Sequence, residues 1–145
     1  MLYKLKNSAI LNSMKLTITG NTPSLKNGKQ ISGIRLINKA KKLWQGQPFL
    51  RSSDKVKKWQ ETAVPELVKQ FAGYKITEYP IALTFVFFFD NVRRHDLDNA
   101  VAGCLDSLTQ AGIIEDDSVK FIDCITLQYG GVDKKNPRAE IYIDE

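Results

Sequence analysis

The stretch that most limits how this chain can fold is Ile81 to Phe89, which reads Ile-Ala-Leu-Thr-Phe-Val-Phe-Phe-Phe. It is almost continuously apolar and rich in β-branched and aromatic side chains, which predicts a central β-strand covered on both faces. At nine residues it falls well short of the roughly 18 to 20 needed to cross a bilayer. A strand of this kind must be sandwiched, so the rest of the chain has to supply covering elements.

The strand delivers the chain to Asp90 and then to Arg93-Arg94-His95-Asp96-Leu97-Asp98-Asn99. In extended backbone, carboxylates at i and i+2 project to the same side, so Asp96 and Asp98 can share one cation. A second cluster, Glu115-Asp116-Asp117, supplies a further carboxylate if the fold brings it back. Oxygen ligands of this kind suit Mg²⁺ or Mn²⁺, hard ions that keep water and phosphate in their open positions. We take Asp96, Asp98 and Asp117 as candidate metal ligands and catalytic residues, with Asp116 as a substitute for the last. Arg93 and Arg94 suit a phosphate, because guanidinium forks match its geometry. Asp-x-Asp alone is a weak motif, since acidic loops that merely cap helices are commoner. His95, the single histidine, suits a general base, although a lone imidazole beside basic residues is more often a phosphate contact or simply exposed. Asp106 is open between a role behind the metal site and a helix-surface interaction.

Between the acidic clusters lies a helical pattern. Asp98 or Asn99 can cap it, Val101, Leu105 and Leu108 share one face with Ala100, Cys104 and Ala111 beside them, and Gly112 ends it. Burying Leu105 and Leu108 contributes roughly 1.5 to 3 kcal/mol each, enough to brace the acidic loop. A second amphipathic helix starts at Ser53 and Asp54, runs through Val56, Trp59, Ala63, Val64, Leu67, Val68 and Phe71, and stops at Gly73. Pro65 inside it predicts a kink or two shorter helices. Lys55, Lys57 and Lys58 sit in its first turn, against the helix dipole, a small hint that they serve a partner. Met14 to Gly20 alternates as a half-buried strand. Phe121 to Tyr129 and Ala139 to Ile143 read as two further strands joined by a turn at Gly130-Gly131-Val132-Asp133.

Charge is distributed unevenly. Residues 1–58 carry 13 Lys or Arg and one acid, Asp54, whereas residues 59–145 carry 8 bases and 15 acids. A basic half joined to an acidic half suits a protein that holds a polyanion on one surface and collects carboxylates around metal on another, although solvated lysines are the commoner meaning of surface charge. Residues 21–53 show little periodic structure and contain Lys26, Lys29, Arg35, Lys39, Lys41, Lys42 and Arg51. We read them as a basic, flexible arm that orders on a phosphate backbone. Residues 1–13 suit neither period and read as an extra strand or a loose extension.

With 145 residues, 43% of them hydrophobic, the chain can bury one proper core, so residues 1–145 are expected to form a single domain. Its start lacks the apolar stretch of a secretory signal, and the expectation is a soluble, intracellular protein without membrane or organic cofactor. Cys104 and Cys124 have no zinc-like spacing and are read as reduced core residues.

The motif from Arg93 to Asn99, followed by Leu105-Asp106-Ser107-Leu108-Thr109-Gln110-Ala111-Gly112-Ile113-Ile114-Glu115-Asp116-Asp117, resembles the signature of the RusA family of Holliday-junction resolvases. Pro23-Ser24-Leu25-Lys26-Asn27 with the basic stretch after it resembles the family's opening, and Ile141-Tyr142-Ile143 its closing strand. The resemblance implies a small mixed α/β (α+β) homodimer, a small mixed sheet packed with helices, found in bacteria and their phages or prophages and acting in the bacterial or host cytoplasm. It would bind four-way DNA junctions and nick two opposed strands with Mg²⁺ or Mn²⁺. The family's catalytic aspartates fall on Asp96, Asp98 and Asp117. One position departs: the family commonly has a catalytic lysine four residues after the second aspartate, and here that residue is Ala102. Lys120, Arg94 or a residue of the basic arm would have to supply the missing cation, or the enzyme is slow, altered in substrate choice, or inactive and binds junctions without cleaving them.

Overall fold

In the computed structural model, residues 14–24, 29–34 and 48–145 are described, with backbone alone at 29–34 and 48–52. The elements are β1 (Met14–Thr19), β2 (Lys29–Ile34), β3 (Pro48–Ser52), α1 (Asp54–Phe71), β4 (Ile81–Phe89), α2 (Leu97–Gln110), β5 (Ile122–Val132) and β6 (Arg138–Asp144). A four-stranded sheet has the order β1-β6-β4-β5, and β2 and β3 form a separate two-stranded sheet. The fold is mixed α+β, as the family resemblance implies.

β4 is central, antiparallel to β6 on one side and parallel to β5 on the other. Its burial nevertheless alternates. Ile81, Leu83, Phe85, Phe87 and Phe89 are buried, while Ala82, Thr84, Val86 and Phe88 are half-buried. The expectation of cover on both faces is therefore corrected. Both described helices pack on one face, where Ala63 and Leu67 of α1 and Val101, Cys104 and Leu108 of α2 join the odd-numbered residues of β4 in one core. On the other face the β6 side chains at Arg138, Glu140 and Tyr142 pair with Phe88, Val86 and Thr84. Glu140, nearly buried, accepts from Lys15 Nζ (3.0 Å), Arg138 Nε (3.0 Å) and the Tyr142 hydroxyl (2.8 Å). The Arg138 guanidinium lies 3.9 Å from the centre of the Phe88 ring. A satisfied polar network thus lies on that face, and a charge can be buried there because its neighbours donate to it.

α1 begins where the sequence indicates. Ser53 caps it, its hydroxyl accepting from the Val56 N–H at 3.4 Å. Pro65 does not divide the helix. Its side is exposed, so the carbonyl one turn back that loses its N–H partner can be met by water. The same helix protects the sheet's edge at β1. The Thr17 N–H donates to Gln70 Oε1 (2.8 Å), Gln70 Nε2 donates back to the Thr17 carbonyl (2.7 Å), and the Thr19 N–H donates to Glu66 Oε2 (2.9 Å). Side chains here take the place of a neighbouring strand.

Three further expectations are corrected. β5 and β6 are not a hairpin, because β4 lies between them and each pairs with β4 instead. Gly130 and Gly131 belong to β5 rather than to a turn: a Cβ on Gly130 would come within 2.7 Å of the Phe88 ring, and Gly131 has φ +119° beside a register shift against Phe87 and Phe88. Part of the segment read as an unstructured arm is the antiparallel β2–β3 pair, with Lys29 opposite Ser52 and Gln30 opposite Arg51; pairing at a distance leaves little trace in local periodicity. Lys26, Arg35, Lys39, Lys41 and Lys42 lie outside the described residues, as do residues 1–13, read above as an extra strand or a loose extension. Cys104 is buried as predicted, and burial pushes its thiol far above the ordinary value, whereas Cys124 is exposed on the edge strand β5. No helix among the described residues is long and apolar enough to cross a membrane.

Candidate active site at the start of the second helix

The end of β4 is fixed by aromatic stacking. The Phe89 ring lies parallel to the His95 imidazole with centres 3.8 Å apart, and it stacks with Phe87 at 6.1 Å and Tyr129 at 6.3 Å. His95 is therefore half-buried and held in place rather than simply exposed. Its Nε2 lies 3.2 Å from Asn91 Oδ1, which also accepts from the Arg93 N–H at 2.9 Å. The Asp90 N–H donates to Asn21 Oδ1 at 3.2 Å, which ties the loop to the segment leaving β1. Short polar side chains bonding nearby backbone are what hold such a turn in one shape.

Asp96 is the N-cap of α2, with φ −103° and ψ 117°, and its side chain makes no capping hydrogen bond. Its backbone carbonyl accepts from the N–H groups of Asn99 and Ala100, both at 3.2 Å. Asp98 already lies in the first helical turn. The extended-strand argument for Asp96 and Asp98 is thus replaced: one residue is extended, the other helical, and the partner on the face of Asp96 is Asn99, three residues on. Asn99 Nδ2 donates to Asp96 Oδ2 at 3.4 Å. Arg94 Nε approaches Asp96 Oδ1 at 3.6 Å, but both groups are well exposed, so this pair holds little. Arg93 is exposed beside it.

Against this helix start is a cavity of about 70 Å³ lined by Thr22, Ser24, Phe89, Arg94, His95, Asp96, Asn99 and Ala100. Thr22 and Asn99 are buried, and among the described residues neither Thr22 Oγ1 nor Asn99 Oδ1 has a partner. Sequence reasoning treated Asn99 only as a cap and passed over Thr22. The available signal was the i, i+3 spacing of Asp96 and Asn99; nothing local in the sequence ties Thr22 to a loop some seventy positions away.

The second acidic cluster lies elsewhere. The Ser118 carbonyl accepts from the N–H groups of Phe121 (2.9 Å) and Ile122 (3.0 Å), and the Ile81 N–H donates to the Phe121 carbonyl (2.8 Å). This turn therefore stands beside the beginning of β4, while Asp96 stands beside its end, about 26 Å away along a nine-residue strand. Glu115, Asp116 and Asp117 are exposed there. Asp116 Oδ1 accepts from the Asp117 N–H at 2.9 Å, and the Ser118 hydroxyl, together with that backbone N–H, holds the Asp116 carboxyl below its ordinary value. Lys120, 5.3 Å from the Phe121 ring centre, is at this end too, so within one chain it is remote from Asp96. Asp106 is exposed midway along α2, and Ala102 is half-buried one turn beyond Asp98. Among the described residues no three His, Cys, Asp or Glu side chains come close enough together to hold a metal ion.

The donor chemistry nevertheless suits a hard divalent ion. Mg²⁺ is commonly held by one or two carboxylates plus waters and substrate phosphate, and an uncapped aspartate beside a small cavity with unpartnered oxygens offers that kind of seat.

The structure thus defines a mixed α+β domain with an acidic helix start set against a polar cavity. The family profile for endodeoxyribonuclease RusA matches residues 37–144, and the chain belongs to that family. A curated relative, the crossover junction endodeoxyribonuclease RusA of Aquifex aeolicus (strain VF5), is 33% identical over 67 residues, 46% of this chain. The match covers 52% of that protein, so the chain spans about half the length of the curated relative it matches.

Proposed function

We propose that this protein is a Mg²⁺-dependent endodeoxyribonuclease that resolves four-way DNA junctions by paired nicks, with Mn²⁺ able to substitute. The observation that carries the reading is the placement of Asp96, in a chain of the RusA family, at an uncapped helix start beside a polar cavity and two exposed arginines. Phosphodiester hydrolysis needs a divalent ion to polarise the phosphoryl group, activate water and offset charge on the leaving oxygen. In this reading Asp96 and Asp98 hold the ion, Arg93 and Arg94 grip phosphate next to it, and the stacked His95 keeps the loop in register. The basic residues of the N-terminal half carry the DNA through phosphate contacts, so affinity falls steeply with salt.

The working form is a homodimer, which matches the two-fold symmetry of a four-way junction. Asp117, at the opposite end of β4 from Asp96, serves the metal site of the other copy, because about 26 Å separates the two ends within one chain. Asp116 supports Asp117 or replaces it.

A second reading is favoured by one observation: Ala102 brings no cation to the helix start, and Lys120 lies at the wrong end of its own chain to replace one. The protein would then bind junctions without cutting them. Incubation of wild type, Asp96→Asn and Ala102→Lys with a synthetic four-way junction and with linear duplex, with and without Mg²⁺, separates the two. Paired nicks by wild type, lost in Asp96→Asn, support the enzyme. Junction binding without cleavage at any Mg²⁺ or Mn²⁺ level would overturn it in favour of the binder, and equal affinity for duplex would remove the selectivity for branched DNA.

A further inference from the structure

Three buried side-chain polar atoms among the described residues lack a hydrogen-bond partner: Thr22 Oγ1, Asn99 Oδ1 and Trp59 Nε1. Two of the three belong to residues that line the one small cavity against Asp96. Thr22 is 5% and Asn99 7% exposed, so bulk water does not reach these atoms. Leaving either unpaired costs about 1 to 3 kcal/mol, and orphaned oxygens at a polar cavity generally mean ordered water. The cavity has room for a few water molecules.

The chemistry narrows what those waters do. Asn99 Oδ1 can only accept, the Thr22 hydroxyl is free to accept, and the Asp96 carboxylate in the same wall accepts as well. Arg94 and His95 also line the cavity, but Arg94 is well exposed with its Nε turned to Asp96 Oδ1 and the His95 ring is stacked on Phe89, so the three acceptors favour donors, which are water or the hydration shell of a cation. Asn99 is tied to both sides, since its Nδ2 donates to Asp96 Oδ2 at 3.4 Å while its Oδ1 remains available. We infer that Thr22 and Asn99 are positioning residues for the metal seat: Asn99 orients the Asp96 carboxylate, and Asn99 Oδ1 with the Thr22 hydroxyl anchors the water shell of the divalent ion. This rests on the metal-dependent reading above and assigns roles to two residues outside its aspartate set.

The test uses the full chain and Mn²⁺ as probe, with free Mn²⁺ read by electron paramagnetic resonance and bound-water exchange by solvent proton relaxation. The variants are Thr22→Val, which keeps the shape and removes the hydroxyl, Thr22→Ser, which restores it, and Asn99→Leu. Circular dichroism melts without metal establish that each is folded. Thr22→Val and Asn99→Leu should weaken Mn²⁺ binding about ten-fold or more and alter the relaxation signal, while Thr22→Ser stays close to wild type. Should Asn99→Leu fail to fold, the Thr22 pair decides the matter alone. Wild-type Mn²⁺ affinity in folded Thr22→Val, with only its melting point changed, would mean a purely structural water and would overturn this inference while leaving the metal-dependent reading intact. No Mn²⁺ binding by wild type overturns both.

Discussion

The two ends of β4 carry the same kind of side chain in opposite settings. At the Phe89 end, Asp96 follows His95, which stacks on Phe89; Asp96 accepts from the amide of buried Asn99 and lines a cavity together with Thr22 and Asn99. At the Ile81 end, Asp116 and Asp117 stand in an exposed turn whose hydrogen bonds close mainly on itself. The difference teaches that sequence proximity of two acidic clusters is not spatial proximity. In the proposed reading the first end is the metal seat, and the second reaches it only from another copy.

The largest effect that tests this contrast is on cleavage. Asp96→Asn and Asp117→Asn should each lower nicking of a synthetic junction by about 10²-fold or more, without losing junction binding. Mixing the two inactive proteins is more informative. If Asp117 serves the partner's site, a mixed dimer contains one doubly mutated site and one intact site, and single-strand nicking returns. Were both residues to act within one chain, every site in the mixture would carry a mutation and no activity would return, which would break the comparison at its root.

Next in size is the support beneath the seat. Phe89 is 1% exposed and joins the core to His95, so Phe89→Ala should cost about 3 to 5 kcal/mol in urea denaturation. The opposite face of the sheet carries the Glu140 network. Burial pushes the Glu140 carboxyl up, but hydrogen bonds from Tyr142, Lys15 and Arg138 outweigh it and hold the group below its ordinary 4.5. A depressed carboxyl stabilises the fold above its unfolded-state value and ceases to do so as pH falls through the folded one. Glu140→Gln should therefore destabilise by about 1 to 3 kcal/mol at pH 7, and the gap to wild type should close once the pH has dropped below the lowered value. A gap independent of pH would mean that Glu140 acts through shape rather than charge.

How much of this was legible in the sequence follows from how local each cause is. β1, α1, β4 and α2 are set by periodicity and stops within a few residues, and Ser53, Gly73 and Gly112 marked their ends, although the N-cap of α2 is Asp96 rather than Asp98 or Asn99. The acidic motif and its family were equally readable. What escaped depended on partners far along the chain. The hairpin read for β5 and β6 failed because β4 inserts between them. The polar character of the other face of β4 escaped because Glu140, Arg138 and Lys15 satisfy one another there across β1 and β6. Cys124 lies in an apolar-patterned run yet faces outward because β5 is the sheet's edge. The distance between the clusters escaped for the same reason, since it is fixed by the parallel register of β5 on β4.

The smallest expected effect is at the exposed turn itself. Val119, two residues beyond Asp117, is 86% exposed, so Val119→Ser removes almost no buried surface. Its urea midpoint should correspond to a change within about 0.5 kcal/mol, against the several kcal/mol expected at Phe89. If the turn meets a second copy when the junction is bound, the same substitution should show itself in the protein concentration needed for half-maximal nicking, with monomer stability unchanged. A stability loss of Phe89 size would mean that the turn is packed within its own chain. The two ends of β4 would then be alike, and the argument that Asp117 acts across the dimer would lose its physical basis.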